Sequence, residues 1–302
     1  MRVLITGGTG LIGRALAADL ADSGHEIVLL SRKPEQVTGL PEGIRAEHWD
    51  GHSAAGWGHL AESAAIVNLA GENLAGGRWT AERKRRILES RVNAGAAVVE
   101  AAQRTAVKPA VVIQGSAGGF YGPRGDEVLG EDVPAGNDFQ SHVVQQWEAS
   151  TAGVEALGVR RAIMRSGVVL STRAVALQRM MLPFRFFVGG RLGNGRQWFS
   201  WIHIADEVRA IRFLIESASA AGAFNLTAPA PLRNAEFAAT LGRAMGRPSW
   251  IPVPAFAMRL LFGEMSTVLL DGQRVVPQRL ADLGFVFRFG TAESALGDLL
   301  RR

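Results

Sequence analysis

The stretch TGGTGLIG, residues 6 to 13, constrains the fold of this chain more than any other segment of its length. It follows RVLIT, which has the β-branched content of a buried strand, and precedes an apolar pattern of helical period at about 11 to 23. Two overlapping spacings fit inside it, Gly8-x-Gly10-x-x-Gly13 and Gly7-x-x-Gly10-x-x-Gly13. Glycines between a strand and a helix permit a tight turn, let a pyrophosphate approach the backbone and bring the two elements close. The helix N-terminus adds free amides and the positive end of a dipole. The loop therefore predicts a dinucleotide contacted by Gly7, Gly10, Leu11, Ile12 and Gly13. An ordinary glycine turn is the plainer alternative, and the strand before and helix after it weigh against that.

Further apolar runs at 26 to 32, 65 to 71, 110 to 116 and 161 to 170 read as strands, with helical patterns between them at about 80 to 105 and 138 to 157. Near-continuous β-branched runs separated by helices imply a parallel sheet covered on both faces, a doubly wound α/β (Rossmann) fold of about seven strands. After residue 170 the pattern loosens through MMLPFRFFVGGRLGNGRQ. It tightens again in WFSWIHIADEVRAIRFLIESA, where Asp206 reads as the cap of a helix running to about 217, followed by a strand in AFNLTA. From Pro229 onward, Pro-marked turns separate two or three helices. The expected organisation is a nucleotide-binding domain over 1–170 to which the chain returns at about 198–228. Residues 171–197 and 229–302 then form a smaller, interleaved C-terminal lobe that walls a cleft.

At the end of the second strand, about 20 residues past the glycines, a carboxylate usually meets the free ribose 2′-hydroxyl of NAD. Here LLSRKP supplies Ser31, Arg32 and Lys33, with no carboxylate before Glu35. A cation there suits a 2′-phosphate, so the cofactor expected is NADP(H), unless Arg32 and Lys33 merely begin a solvent loop.

The absence of cysteine excludes thiolate chemistry and disulfides. No apolar run reaches the length of a membrane span, and MRVLITGG enters a strand without a signal-peptide pattern, so a cytoplasmic chain with no membrane partner is expected. The net charge of +5 is densest in ERKRRILESR, 82 to 91, where Ile87, Leu88 and Val92 recur at helical spacing. That pattern reads as the solvated face of an amphipathic helix rather than a nucleic-acid surface. The partner expected is a small molecule, and nothing in the sequence sets the oligomeric state. No His/Asp/Glu grouping has the spacing of a metal site.

TGGTGLIG, NLAG (68 to 71), SAGGFYG (116 to 122) and WIHIAD (201 to 206) resemble the extended short-chain dehydrogenase/reductases, which include nucleotide-sugar epimerases. RWTAERKRRILESRV, RSGVVLS, GNGRQWFSWIHIADEV, FNLTAPAP and PVPAFAMRLLFGE are similar to an atypical epimerase-like branch, so the resemblance spans nearly the whole chain. It implies Gly7, Gly10 and Gly13 at the pyrophosphate, Arg32 at the adenosine phosphate, Asp50 near the adenine, and Ala70 and Gly71 bordering the cofactor. It implies Ser116 as the active-site serine polarising a substrate carbonyl; a strand-end hydroxyl satisfying local backbone is the alternative. Asn68 would bond backbone nearby or cap a turn.

Such enzymes normally use Tyr-x-x-x-Lys on the helix after the fifth strand, the lysine lowering the tyrosine pKa. This chain holds one tyrosine, Tyr121, and four residues beyond it stands Gly125. Counting back from Glu148, the pair would fall at Gln140 and Val144, neither of which moves a proton. Tyr121 matches the Tyr-Gly that shapes the loop after the serine, so scaffold or substrate contact is favoured over proton donation. His203 reads as a core histidine, while Glu148 and His142 face either the cleft or solvent. The resulting expectation is an NADP(H)-dependent oxidoreductase or epimerase-like protein acting on a small polar substrate, nucleotide-sugars included. The rival is an NADP(H)-binding regulator or sensor without turnover.

Overall fold

A computed structural model describes residues 1–301. Its strands are β1 (Arg2–Thr6), β2 (Glu26–Ser31), β3 (Ile44–His48), β4 (Ala65–Asn68), β5 (Val111–Ala117), β6 (Val128–Leu129), β7 (Arg160–Ser166), β8 (Val168–Leu170), β9 (Trp198–Phe199), β10 (Trp201–His203), β11 (Gly222–Leu226), β12 (Leu232–Arg233) and β13 (Arg274–Val275). The helices are α1 (Leu11–Asp22), α2 (Ala81–Arg104), α3 (Phe139–Ala149), α4 (Val175–Arg185), α5 (Ile204–Glu216), α6 (Asn234–Met245), α7 (Ala255–Phe262), α8 (Thr267–Leu270), α9 (Gln278–Asp282) and α10 (Ala292–Leu300). Seven strands form one parallel sheet in the order β11-β7-β5-β4-β1-β2-β3. The reversal of strand order between β1 and β4 places the crevice over the carboxyl ends of those strands, where doubly wound folds bind ligands.

Strand alternation explains the two covered faces. Val3 and Ile5 pack with Leu16 and Leu20 of α1 and with Ile211 and Leu214 of α5, whereas Leu4, Val28 and Ile66 pack with Ala94, Ala97, Val98 and Ala101 of α2. All of these are fully buried. Each large aliphatic side chain so placed contributes about 1.5–3 kcal/mol, and the alanine stripe lets α2 approach the sheet closely.

The structure corrects several sequence expectations. The run 161 to 170 is two strands: β7 lies in the main sheet, while β8 pairs with β10. The break falls at Gly167, where a Cβ would stand 2.8 Å from the Ser200 carbonyl oxygen. The helix expected over 138 to 157 ends at Ala149, and a 3-10 turn occupies Ala152–Leu157. Residues 171–197 include α4, whose Pro183 sits in its last turn, where a proline ends a helix rather than preventing it. The C-terminal part carries five helices rather than two or three. Arg91, at the end of the basic cluster, is buried, although Arg85 behaves as expected and pairs in solvent with Glu82 and Glu89.

Asp206 is not the cap of α5. His203 caps it, its Nδ1 accepting the Ala205 amide at 3.1 Å, while Asp206 accepts the Arg288 and Phe289 amides at 2.9 and 2.8 Å and pins the C-terminal segment to α5. Its neighbour Glu207 is fully buried; Oε1 accepts from the Ser166 hydroxyl at 2.6 Å, and Oε2 has no partner. Burial pushes this carboxyl from its ordinary 4.5 up to about 8, against the Ser166 hydrogen bond. With the folded value above the unfolded one, the native state holds the extra proton across that window, so stability declines as pH rises through it and levels off above. Glu207→Gln is expected to remove this decline and to be more stable than wild type in mild alkali. Urea unfolding of both chains at pH values inside and above the window checks it; parallel pH profiles would refute the assignment.

Candidate functional site

The glycine loop is built for close approach. Gly7 has φ +66°, and a Cβ there would stand 2.9 Å from the Leu69 carbonyl carbon. At Gly13 a Cβ would meet the Gly8 Cα at 2.6 Å and the Gly7 oxygen at 2.7 Å, so only glycine lets α1 cross β1 here. The Gly10 amide donates to Gly7 at 3.0 Å, and the first helical bond of α1 runs from Arg14 to Gly10, leaving the amides of Leu11, Ile12 and Gly13 ahead of it.

At the end of β2, the Ser31 hydroxyl accepts the Lys33 amide at 3.2 Å. Arg32 is exposed and, among the described residues, makes no ion pair; its Cδ lies 3.8 Å from where a Gly51 Cβ would stand. Asp50 therefore lies in the loop beside Arg32, accepting the His52 and Ser53 amides at 2.8 and 2.9 Å and the Ser53 hydroxyl at 2.6 Å. Burial opposes ionisation of Asp50, but these bonds outweigh it and hold the carboxyl at about 2. At the end of β4, Asn68 bonds neither backbone nor a turn: it accepts from Thr6 Oγ1 at 2.6 Å and donates to Gln114 Oε1 at 3.0 Å. Thr6 in turn accepts the Leu69 and Ala70 amides at 3.1 and 3.2 Å, fixing the path of the chain into Gly71. Beneath Gly71 lies the Arg91 guanidinium, 3.0 Å from a hypothetical Gly71 Cβ, with burial lowering its pKa to about 10. Amide donors and a glycine-only approach fit a dinucleotide, and a cation without an ion pair stands at the β2 end.

On the other side of the crevice, the hydroxyl of Ser116 is buried and donates to Glu148 Oε1 at 2.6 Å. Glu148 reaches inward from α3 and also accepts from Arg165 Nε at 2.8 Å and Nη2 at 3.1 Å, which resolves the cleft-or-solvent alternative in favour of a buried role; His142 is exposed. Burial disfavours the charge of Arg165, yet the two bonds it donates to Glu148, with that carboxylate's charge, more than offset it and raise its pKa. Arg165 stacks 3.4 Å from the Phe120 ring centroid and donates to the Tyr121 hydroxyl at 3.1 Å. Tyr121 is fully buried and donates to Asn225 Oδ1 at 2.7 Å; burial raises its pKa, the reverse of what a lysine partner would do. Glu131 extends the network, its Oε1 accepting the Asn225 amide at 2.9 Å. Gln140 lies over Gly119, and Val144 is buried. His203 is buried as expected, its Nε2 lying 3.4 Å from Asp298.

Sequence reasoning passed over a cavity of about 640 Å3 whose wall includes Asp126, Arg196, Trp198 and Arg233. The Trp198 ring lies beneath two guanidinium groups, Arg233 at 4.1 Å and Arg274 at 4.5 Å, and its Nε1 donates to Asp126 at 2.8 Å. Three arginines against one carboxylate leave the region cationic. The loop carrying Asp126 leaves directly from the turn that holds Tyr121.

Residues 3–227 match the NAD dependent epimerase/dehydratase family, and residues 253–299 match a domain of unknown function, DUF1731. The Epimerase family protein YfhF of Bacillus subtilis is 38% identical over 301 residues, covering 99% of this chain and 98% of its own. The Epimerase family protein SAR0825 of Staphylococcus aureus is 41% identical over 305 residues, covering 99% of each. The chain belongs to the NAD-dependent epimerase/dehydratase family. Among solved structures, the human epimerase family protein SDR39U1 with NADPH superposes with a TM-score of 0.89 at 35% identity, covering 99% of both chains. A nucleoside-diphosphate sugar epimerase from Corynebacterium glutamicum gives 0.78 at 32%, with 99% of this chain spanning 58% of that one. Family membership makes this an epimerase-like, nicotinamide-nucleotide-binding Rossmann protein. No helix among the described residues is long and apolar enough to cross a membrane.

Proposed function

We propose that this protein binds NADP(H) and performs oxidoreduction or epimerisation on a small polar substrate with an anionic part, a nucleotide-sugar being one such molecule. The observation that carries the cofactor choice is Arg32, exposed and without an ion pair, at the end of β2 where no carboxylate awaits a 2′-hydroxyl. The NADPH in the human relative supports it. The proposed contacts are Gly7, Gly10, Leu11, Ile12, Gly13, Ser31, Arg32, Asp50, Ala70 and Gly71, in a nucleotide unit of residues 1–170 that regains the chain at 198–228. Losing a charge-assisted contact costs about 1.5–3 kcal/mol, or roughly ten- to a hundredfold in affinity. Calorimetric titration of wild type and Arg32→Ala with NADPH and NADH is expected to show that loss for NADPH only. Equal affinity of wild type for both cofactors would sink the assignment.

When bound, the nicotinamide gives or accepts a hydride. The chain supplies Ser116, whose proton points to Glu148 and whose lone pairs are left for a ligand hydroxyl. As a substrate alcohol is oxidised, its proton passes to Ser116 Oγ while the serine proton moves to Glu148 Oε1, and Arg165 holds that carboxylate in place. The cationic cavity at Trp198, Arg196 and Arg233 suits the anionic part of the substrate. One observation favours a second reading: the Ser116 and Tyr121 hydroxyls are both buried and tied into one network, as a rigid sensor that binds NADP(H) without turnover would have them.

A further inference from the structure

Between Glu155 and Asp206, and again between Glu236 and Glu264, the chain contains no acidic residue at all. The fold brings the middles of these two segments together. The Trp250 and Ile251 amides donate to the Gly189 carbonyl at 3.0 and 3.1 Å, the Trp250 indole donates to the Phe187 carbonyl at 2.7 Å, and Arg247 stacks 4.5 Å from the Phe187 ring centroid. The surface they form is apolar at its centre. Phe186 is 70% exposed, Trp250 67%, Phe187 52% and Leu182 51%, far beyond what scattered surface residues require. Phe187 adopts φ +62°, a conformation an aromatic residue rarely takes, held by its amide bond to Phe184 at 3.0 Å. The fold therefore fixes a bulky apolar group in solvent by a strained backbone.

Around this centre stand Arg179, Arg185, Arg191 and Arg247, none of which makes an ion pair among the described residues. Arg185 and Arg247 also flank a cavity of about 550 Å3 floored by Met181 and Met245. We propose that this face docks on an anionic phospholipid bilayer, with Phe186, Phe187 and Trp250 entering the interface and the arginines meeting lipid phosphates. A second copy of the chain fits poorly, because a twofold contact would set these arginines against themselves with no carboxylate in either segment. The aromatic side chains project outward rather than lining a groove for a peptide, and aromatic rings beside unpaired cations are the combination that holds proteins at bilayer interfaces. This departs from the expectation of no membrane partner drawn from the sequence, which concerned spanning segments.

The test is sedimentation of the full chain with vesicles of phosphatidylcholine alone and of phosphatidylcholine mixed with phosphatidylglycerol. Wild type is expected to bind only the mixed vesicles and to be released by salt. Arg179→Glu with Arg185→Glu should weaken binding at least tenfold, since each basic residue near an anionic surface contributes about fivefold. Phe186→Ser with Trp250→Ser should weaken it comparably, with melting temperature and NADPH affinity of both variants unchanged as controls for folding. Binding to neither vesicle, or equally to both, overturns the proposal. So does a concentration-dependent dimer in analytical ultracentrifugation that the Phe186→Ser, Trp250→Ser variant abolishes.

Discussion

Replacing Arg165 with methionine is expected to lower the melting temperature by about 5–8 °C. Arg165 is buried, and its two bonds to Glu148 are the main compensation for a carboxylate that is itself out of solvent. Removing one partner of such a pair leaves an uncompensated buried charge and costs about 3–5 kcal/mol, of which each kcal/mol moves the midpoint of a chain this size by about 1.5 °C. The same substitution frees the Tyr121 hydroxyl and the Glu131 carbonyl from a donor, adding to the loss. Replacing both partners with apolar residues of similar volume should recover much of the stability. Calorimetry on Arg165→Met, Glu148→Leu and the double variant measures this. Additive losses in the double variant would show that the pair does not stabilise through mutual compensation.

That network also marks where sequence reading stopped. Hydrophobic period located β1, β2, β4 and β5, because strands buried on both faces leave near-continuous apolar runs. The strand β3, Ile44–His48, was not anticipated: it is an edge strand, its IRAEH carries three charged or titratable residues, and none of it is fully buried. The glycine loop was legible because its demands are local, a Cβ at Gly13 colliding with Gly8 five residues away. Arg165 follows the apolar Ala162, Ile163 and Met164 in β7, a strand that also carries Arg160 and Arg161, so its sequence position alone does not set it apart. Its partners were equally hidden, since Glu148 and Glu131 lie 17 and 34 residues earlier and only the fold brings them together. The cavity at Trp198 was hidden for the same reason, being assembled from Asp126 and Arg196 on two separate loops and Arg233 of β12. Asp206 anchors the C-terminal segment instead of capping α5 because the amides of Arg288 and Phe289, unseen from the local sequence, take its carboxylate, and the buried His203 serves as the cap.

The chemistry of the site separates on two hydroxyls. Ser116→Ala is expected to reduce turnover of an NADPH-dependent reaction about 10²- to 10⁴-fold, the usual worth of general acid–base help, because it deletes the atom through which a substrate proton reaches Glu148. Its effect on NADPH affinity should be small, since the proposed cofactor contacts lie on the glycine loop and at the β2 and β4 ends. Tyr121→Phe should behave in the opposite sense. The phenol is fully buried, burial raises its pKa, and its hydroxyl both donates to Asn225 and accepts from Arg165, so its loss should cost on the order of 1–3 kcal/mol of stability while sparing turnover. NADPH oxidation across a panel of carbonyl compounds, with anionic and nucleotide-linked members, is measured for wild type and both variants beside their melting curves. Abolished activity in a folded Tyr121→Phe that still binds NADPH would make the phenol the proton donor and the serine relay wrong. Tight NADPH binding with no compound turned over by wild type would place the protein with sensors, whose buried hydroxyls serve only to hold β5, α3 and β7 in register.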